Sequence, residues 1–176
     1  MKPAIFLDRD GVLNFSKTIK GKPYAPINYK DFKIYPNTED CLNKIKLMGF
    51  LVIVITNQPD IGNKKTSYLE INKMHNKLYS LNTIDKIYVC HHSQSDNCIC
   101  RKPSPYLFFL AKDEFNIDMN KSWMIGDRHT DIEAGNAAGL KTIFIDRKYK
   151  ESLNQKIICK KVNSLIEAIK YIENYK

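Results

Sequence analysis

The run FLVIVIT, residues 50 to 56, is apolar at every position except its last. A strand with one wet face alternates apolar and polar side chains, so an unbroken run must be covered on both faces. Seven residues suit a strand between two helix layers better than a helix, which would need ten or more. Four shorter runs repeat the theme: AIFL (4 to 7), KIYVC (86 to 90), WMIG (123 to 126) and TIFI (142 to 145). Segments of helical period lie between them. Residues 38 to 48 carry Leu42, Ile45 and Met48, with Gly49 as the stop. Residues 67 to 81 open with Ser67 and Glu70 in capping-box register, followed by Ile71, Met74, Leu78 and Leu81. In SPYLFFLAKDEF, Ser104 can cap and Pro105 fits the first helical position. A last helix is boxed by Ser164 and Glu167, with Leu165, Ile166, Ile169 and Ile172 facing inward. Strands alternating with helices predict an α/β fold of one domain, residues 1 to 176, in which five strands form a central parallel sheet.

Composition narrows the function classes. The formal net charge of +9 is spread along the chain with no block of like charges, which speaks against a nucleic-acid tail and leaves a general attraction for anionic substrates. No apolar run approaches the roughly 20 residues of a membrane helix, and the N-terminus reaches an acidic cluster too soon to hold a signal peptide. The expectation is a cytoplasmic, soluble monomer without a membrane partner. Five cysteines are an odd number for a disulfide framework, and Cys90, Cys98 and Cys100 lie within eleven positions, which favours metal binding. Cys41 and Cys159 are expected to be plain core thiols.

In open parallel sheets, ligands bind beyond the carboxyl ends of the strands. The residues there are Asp8, Arg9 and Asp10 after the first run, Thr56, Asn57 and Gln58 after the second, Arg101 and Lys102 before Pro103, and Gly126, Asp127 and Arg128 after the fourth. Two carboxylates at i and i+2 on an extended chain project to one side, and a third from a neighbouring strand completes an oxygen-rich site suited to Mg²⁺. Asp8, Asp10 and Asp127 are that set, with a backbone carbonyl among the donors. One aspartate can then attack phosphorus while the second moves the proton of the leaving group. Thr56 and Lys102 are placed to hold phosphoryl oxygens. Taken singly, an aspartate at a strand end is a turn residue and an RKP tripeptide has little specificity. Their shared edge of one sheet is what gives them meaning.

DRDG, ITNQ, CRKP and GDRHTD, in that order, resemble the four motifs of the haloacid dehalogenase superfamily of phosphohydrolases. FLDRDGVLN, VIVITNQ, YVCHH, CICRKP and WMIGDRHTDIEAGNAAG are similar to its heptose bisphosphate and histidinol-phosphate phosphatases. The resemblance implies a Rossmann-like three-layer sandwich, Asp8 as nucleophile, Asp10 as general acid and base, and Asp127 as a Mg²⁺ ligand. Asn57, Arg101 and Arg128 would bind substrate, a small phosphorylated sugar, and His129 would lie near it. Asp131 would be a structural partner rather than a ligand, and His75 structural. Gly11 lets the backbone turn away after the aspartates. Residues 15 to 36 would form a flap over the site, since no large cap domain fits the remaining length. A heptose bisphosphate is the expected substrate. Histidinol phosphate, a 3′-phosphorylated polynucleotide and a noncatalytic zinc-stapled binding module are the alternatives.

CHHSQSDNCIC offers Cys90, His92, Cys98 and Cys100 in a compact loop, a normal structural zinc set with no position left open for catalysis. Either His91 or His92 could reach the metal on spacing alone. The resemblance selects His92, because those phosphatases read Cys-x-His in a zinc loop that pins Arg101 and Lys102.

Overall fold

A computed structural model describes residues 1 to 152 and 154 to 175. In chain order the elements are β1 (Ala4–Leu7), β2 (Lys17–Ile19), β3 (Lys22–Tyr24), α1 (Thr38–Leu47), β4 (Leu51–Asn57), α2 (Pro59–Gly62), α3 (Tyr68–Tyr79) and β5 (Lys86–Cys90). They continue with α4 (Tyr106–Phe115), β6 (Trp123–Gly126), α5 (His129–Ala137), β7 (Lys141–Ile145), β8 (Lys160–Val162) and α6 (Leu165–Glu173). One six-stranded sheet runs in the order β5-β4-β1-β6-β7-β8, every neighbouring pair parallel. Alternate side chains of each strand enter opposite cores. Ile5, Leu7, Val52, Val54, Trp123 and Ile125 meet the helices α1, α3 and α6 on one face. Ala4, Phe6, Ile53, Ile55 and Met124 meet α4 and α5 on the other, where Phe6 and Phe108 pack with ring centroids 5.1 Å apart. This double burial is why the strands read as continuous rather than alternating.

From β1 the chain moves to β4 and β5 on one side, then returns across the sheet to β6, β7 and β8 on the other. The crevice of such a sheet opens where the connections part, beyond the carboxyl end of β1. Asp8 stands there, still in register, its N–H donating to the Ile125 carbonyl at 3.0 Å.

Several expectations need correction. The sheet holds six strands rather than five, because β8 is only three residues with two exposed lysines and carries no apolar run. Residues 15 to 36 are not wholly irregular: β2 and β3 pair antiparallel around Lys20 and Gly21, both at positive φ (51° and 82°), the geometry of a two-residue hairpin turn. Helix α4 begins one residue later than expected, with Pro105 as its cap and Ser104 Oγ accepting from the Tyr106 N–H at 3.3 Å. In α6 the buried stripe is Leu165, Ala168, Ile169 and Ile172, spaced i, i+3, i+4, i+7, which turns Ile166 outward. Cys41 is buried as expected, but Cys159 is exposed and no core thiol.

Candidate active site

Asp8, Asp127 and Asp131 bring carboxylate oxygens within 4.8 Å of one another, all three buried. The expected trio of Asp8, Asp10 and Asp127 is therefore not the one brought together, since the Asp10 side chain turns elsewhere. Lys102 Nζ sits between two of them, 2.7 Å from Asp8 Oδ1 and 2.7 Å from Asp131 Oδ1, and 2.6 Å from the Ile55 carbonyl oxygen. Asp131 is spent on this framework: its Oδ2 also accepts the N–H groups of Asp127 and Arg128 at 3.2 and 3.0 Å, fixing the first turn of α5. Asp127 differs. Its two oxygens are buried, and among the described residues neither has a hydrogen-bond partner. Burial, then the neighbouring Asp8 and Asp131, pushes its carboxyl well above the ordinary value, against the weaker pull of the nearby Tyr149 hydroxyl and Arg128. Burial likewise raises Asp8 to about 7 against the pull of Lys102, while Asp131 and Asp10 add to the rise. Burial works against the charge on Lys102, but Asp131 and Asp8 outweigh it and hold the ammonium above its usual range. A partnerless buried carboxylate beside a second one fits a hard divalent cation such as Mg²⁺.

Gly11 keeps this space open. Its φ is +88°, and a Cβ there would stand 1.8 Å from Asp127 Oδ2. Gly126 does the same for Asp131, whose Cβ would be 2.2 Å from an added methyl group.

Asp10 is held by a ring of donors. Arg9 Nε lies 3.2 Å from its Oδ2 and an Arg9 terminal nitrogen 3.1 Å from its Oδ1. Asn14 Nδ2 donates to Oδ1 at 2.9 Å and Gln58 Nε2 to Oδ2 at 2.6 Å. Arg9 has no exposed surface; it lies over the Phe32 ring at 5.6 Å and meets His75 Nε2 at 3.1 Å. Burial and the Arg9 cation lower His75 to about 4, so its neutral ring can accept that hydrogen bond. His75 is structural, as expected, but its structure serves the site. The sequence places Arg9 and Gln58 among the strand-end residues without giving them a role, and does not single out Asn14. The signal available was their place immediately around the aspartate pair and the apolar run; what it lacked was any sign that an arginine would be fully buried.

The other expected residues fall on or under one cleft of about 690 Å³. Arg101, Lys102, Asn57 and Arg128 line it with Asp8 and Asp10. Asn57 spends its amide on the backbone of Lys102, donating to its carbonyl and accepting its N–H, both at 3.1 Å. Its placement makes it a holder of Lys102. Arg101 has a buried NH1 nitrogen with no partner among the described residues. Arg128 is paired with Glu151, which also accepts from His129 Nδ1 at 2.8 Å. Thr56 is 1% exposed and reaches the site through Gln58, whose amide nitrogen lies 2.8 Å from Thr56 Oγ1. Lys22, Pro23, Tyr24 and Ala25 of the hairpin close one side of the cleft. The hairpin tip is tied to the loop after β7 by the Lys150 N–H donating to the Gly21 carbonyl at 2.9 Å, and Arg147 Nε of that loop donates to the Gly11 carbonyl at 2.7 Å.

At the end of β5, Cys90, His92, Cys98 and Cys100 meet. Cys90 and Cys98 sulfurs are 3.5 Å apart, Cys98 and Cys100 3.7 Å, and His92 Nδ1 is 3.8 Å from Cys90 and 3.2 Å from Cys100. Ligands on a tetrahedral zinc stand roughly 3.5–3.8 Å apart. These residues could hold that metal. His91 instead stacks on His92 at 4.8 Å, meets the edge of Tyr68 and accepts the Gly62 N–H on its carbonyl.

A family model described as HAD-hydrolase-like matches residues 99–157. The D-glycero-beta-D-manno-heptose-1,7-bisphosphate 7-phosphatase of Helicobacter pylori (strain J99) is 30% identical over 177 residues, which cover 95% of this chain and 97% of that one. The enzyme of the same name from Vibrio cholerae is 33% identical over 166 residues, covering 88% and 86%. The crystal structure of D,D-heptose 1,7-bisphosphate phosphatase from B. bronchiseptica, complexed with magnesium and phosphate, shares the fold, with a TM-score of 0.85 at 21% identity and 99% of each chain covered. The four motif segments, the crevice they share and these relatives agree: the chain belongs to the D-glycero-D-manno-heptose-1,7-bisphosphate 7-phosphatase family of haloacid-dehalogenase-like phosphatases and is a phosphoric monoester hydrolase.

Proposed function

We propose that the protein, as one domain over residues 1 to 176, removes the 7-phosphate of D-glycero-D-manno-heptose 1,7-bisphosphate through a phosphorylated aspartate. The observation that carries this reading is the buried carboxylate of Asp127, unpaired with any cation among the described residues, beside Asp8, with Lys102 fixed between Asp8 and Asp131. Asp8 and Asp127 would hold Mg²⁺, with Asp10 contributing through its backbone carbonyl; the cation supplies neutralisation of phosphate charge. An Asp8 carboxylate oxygen attacks phosphorus as the bond from phosphorus to the sugar oxygen breaks. Asp10 gives that oxygen a proton, then takes one from the water that releases phosphate. The four contacts described on Asp10 all donate to it, so one of them has to yield when Asp10 carries the proton. Lys102 and Thr56 hold phosphoryl oxygens in the transition state, and Arg101 and Arg128, with Asn57 behind them, face the rest of the sugar phosphate. Cys90, His92, Cys98 and Cys100 hold a structural Zn²⁺ that braces Arg101 and Lys102.

A rate panel tests the substrate: both anomers of heptose 1,7-bisphosphate, histidinol phosphate and a 3′-phosphorylated oligonucleotide, each with Mg²⁺. The expected order puts a heptose anomer first in kcat/KM. Preference for histidinol phosphate or the oligonucleotide would overturn the substrate while leaving the chemistry.

A further inference from the structure

We infer that Gln58 is a positioning residue for both halves of the reaction, setting the Asp10 carboxyl and the Thr56 hydroxyl with one amide group. The inference rests on Asp10 being the general acid, as proposed above. Gln58 is 2% exposed, and its Nε2 lies 2.6 Å from Asp10 Oδ2 and 2.8 Å from Thr56 Oγ1. An amide nitrogen has two hydrogens, so both contacts can be made at once. The consequence for Thr56 is a matter of polarity. Its oxygen accepts from Gln58, which leaves its own O–H to be donated to a phosphoryl oxygen.

For Asp10 the consequence is aim. Arg9 approaches the carboxyl side-on and Asn14 binds Oδ1, where its amide is also committed to the Phe15 carbonyl at 3.0 Å. Gln58 is the one partner that ties Asp10 to the strand bearing the phosphate-binding hydroxyl. Its backbone is anchored too: the Gln58 N–H donates to the Cys90 carbonyl at 2.7 Å, at the root of the cysteine cluster.

During phosphoryl transfer the bond from Asp8 Oδ to phosphorus forms, the bond from phosphorus to the leaving oxygen breaks, and its electron pair goes to that oxygen, which takes the Asp10 proton. A sugar alkoxide needs this proton in order to leave, whereas a nitrophenolate leaves without it. Misplacing Asp10 therefore slows alkyl phosphates selectively, while misfolding or a loosened Thr56 slows both kinds alike.

The test measures kcat/KM, which reports steps up to leaving-group departure, for Gln58→Met and wild type. The substrates are p-nitrophenyl phosphate and the sugar phosphate that the wild type turns over best. Gln58→Met is expected to slow both substrates through the loosened Thr56 and, through the misplaced Asp10, to lose about tenfold more on the sugar phosphate than on the aryl ester. Equal losses on both, or none, would overturn the inference. Gln58→Glu keeps the shape and loses the donor, and is expected to show the same selective loss should the methionine variant fail to fold. Asp10→Asn is the control. Selectivity there without selectivity at Gln58 rejects the positioning role alone, and its absence at Asp10 rejects the acid assignment and this inference together.

Discussion

Asp127 is the residue whose environment speaks most directly for a cation in the site. A carboxyl whose folded pKa stands above its ordinary 3.8 costs stability once the pH climbs past that ordinary value, and the cost grows until the folded pKa is passed. Replacing it by an amide removes the cost. Metal-free Asp127→Asn is therefore expected to be more stable than metal-free wild type near neutral pH, with the gap closing as the pH falls toward 3.8. In excess Mg²⁺ the order reverses, because only the wild type gains the binding energy. Thermal melts along a pH series with and without the cation check both signs, and a variant less stable than wild type in metal-free neutral buffer contradicts the account. The carboxylates themselves were legible in the sequence because a strand end in DRD or GD has few structural excuses. Which ones would converge was not, since Asp10 is drawn aside by Arg9, Asn14 and Gln58, and Asp131 is drawn in by Lys102. Those choices depend on distances between strands that no local pattern encodes.

Among the elements, the cysteine loop has the clearest dependence on a bound ion. Burial and the surrounding thiols raise Cys90 well above the ordinary thiol value, whereas at Cys98 burial is outweighed by hydrogen bonds from Cys90, Cys100 and the Arg101 backbone, which lower it. With zinc the same four groups tie the end of β5 to the segment that delivers Arg101 and Lys102. His92→Gln and Cys98→Ser are expected to lose stoichiometric zinc, to melt lower and to lose phosphatase activity, whereas His91→Gln keeps its zinc. Elemental analysis of the three purified variants decides this, and zinc retained by His92→Gln but lost by His91→Gln would reverse the ligand assignment. The long buried strands and the capped helices α3 and α6 could be read from periodicity alone; Ser67 and Ser164 accept the expected N–H groups of Glu70 and Glu167. The hairpin of β2 and β3 could not. Most of its residues are exposed, its turn is Lys20-Gly21, and it is held by contacts to the distant loop around Lys150. Strand β8 escaped for a similar reason, being an edge strand whose lysines face water.

At the level of the whole molecule, a parallel sheet with its switch point at β1 gathers the ends of β1, β4 and β6, and the segment after β5, into one crevice. Residues 119 positions apart, Asp8 and Asp127, thereby share a site that the cores on either face hold rigid. Among the described residues no helix is long and apolar enough to cross a membrane. The most direct test of the central claim, that Asp8 is the nucleophile of this crevice, is Mg²⁺-dependent phosphate release by Asp8→Asn on the best substrate of the panel. The account predicts activity lower by about 10³-fold or more in a protein that still folds and binds zinc. Turnover close to that of the wild type would contradict it.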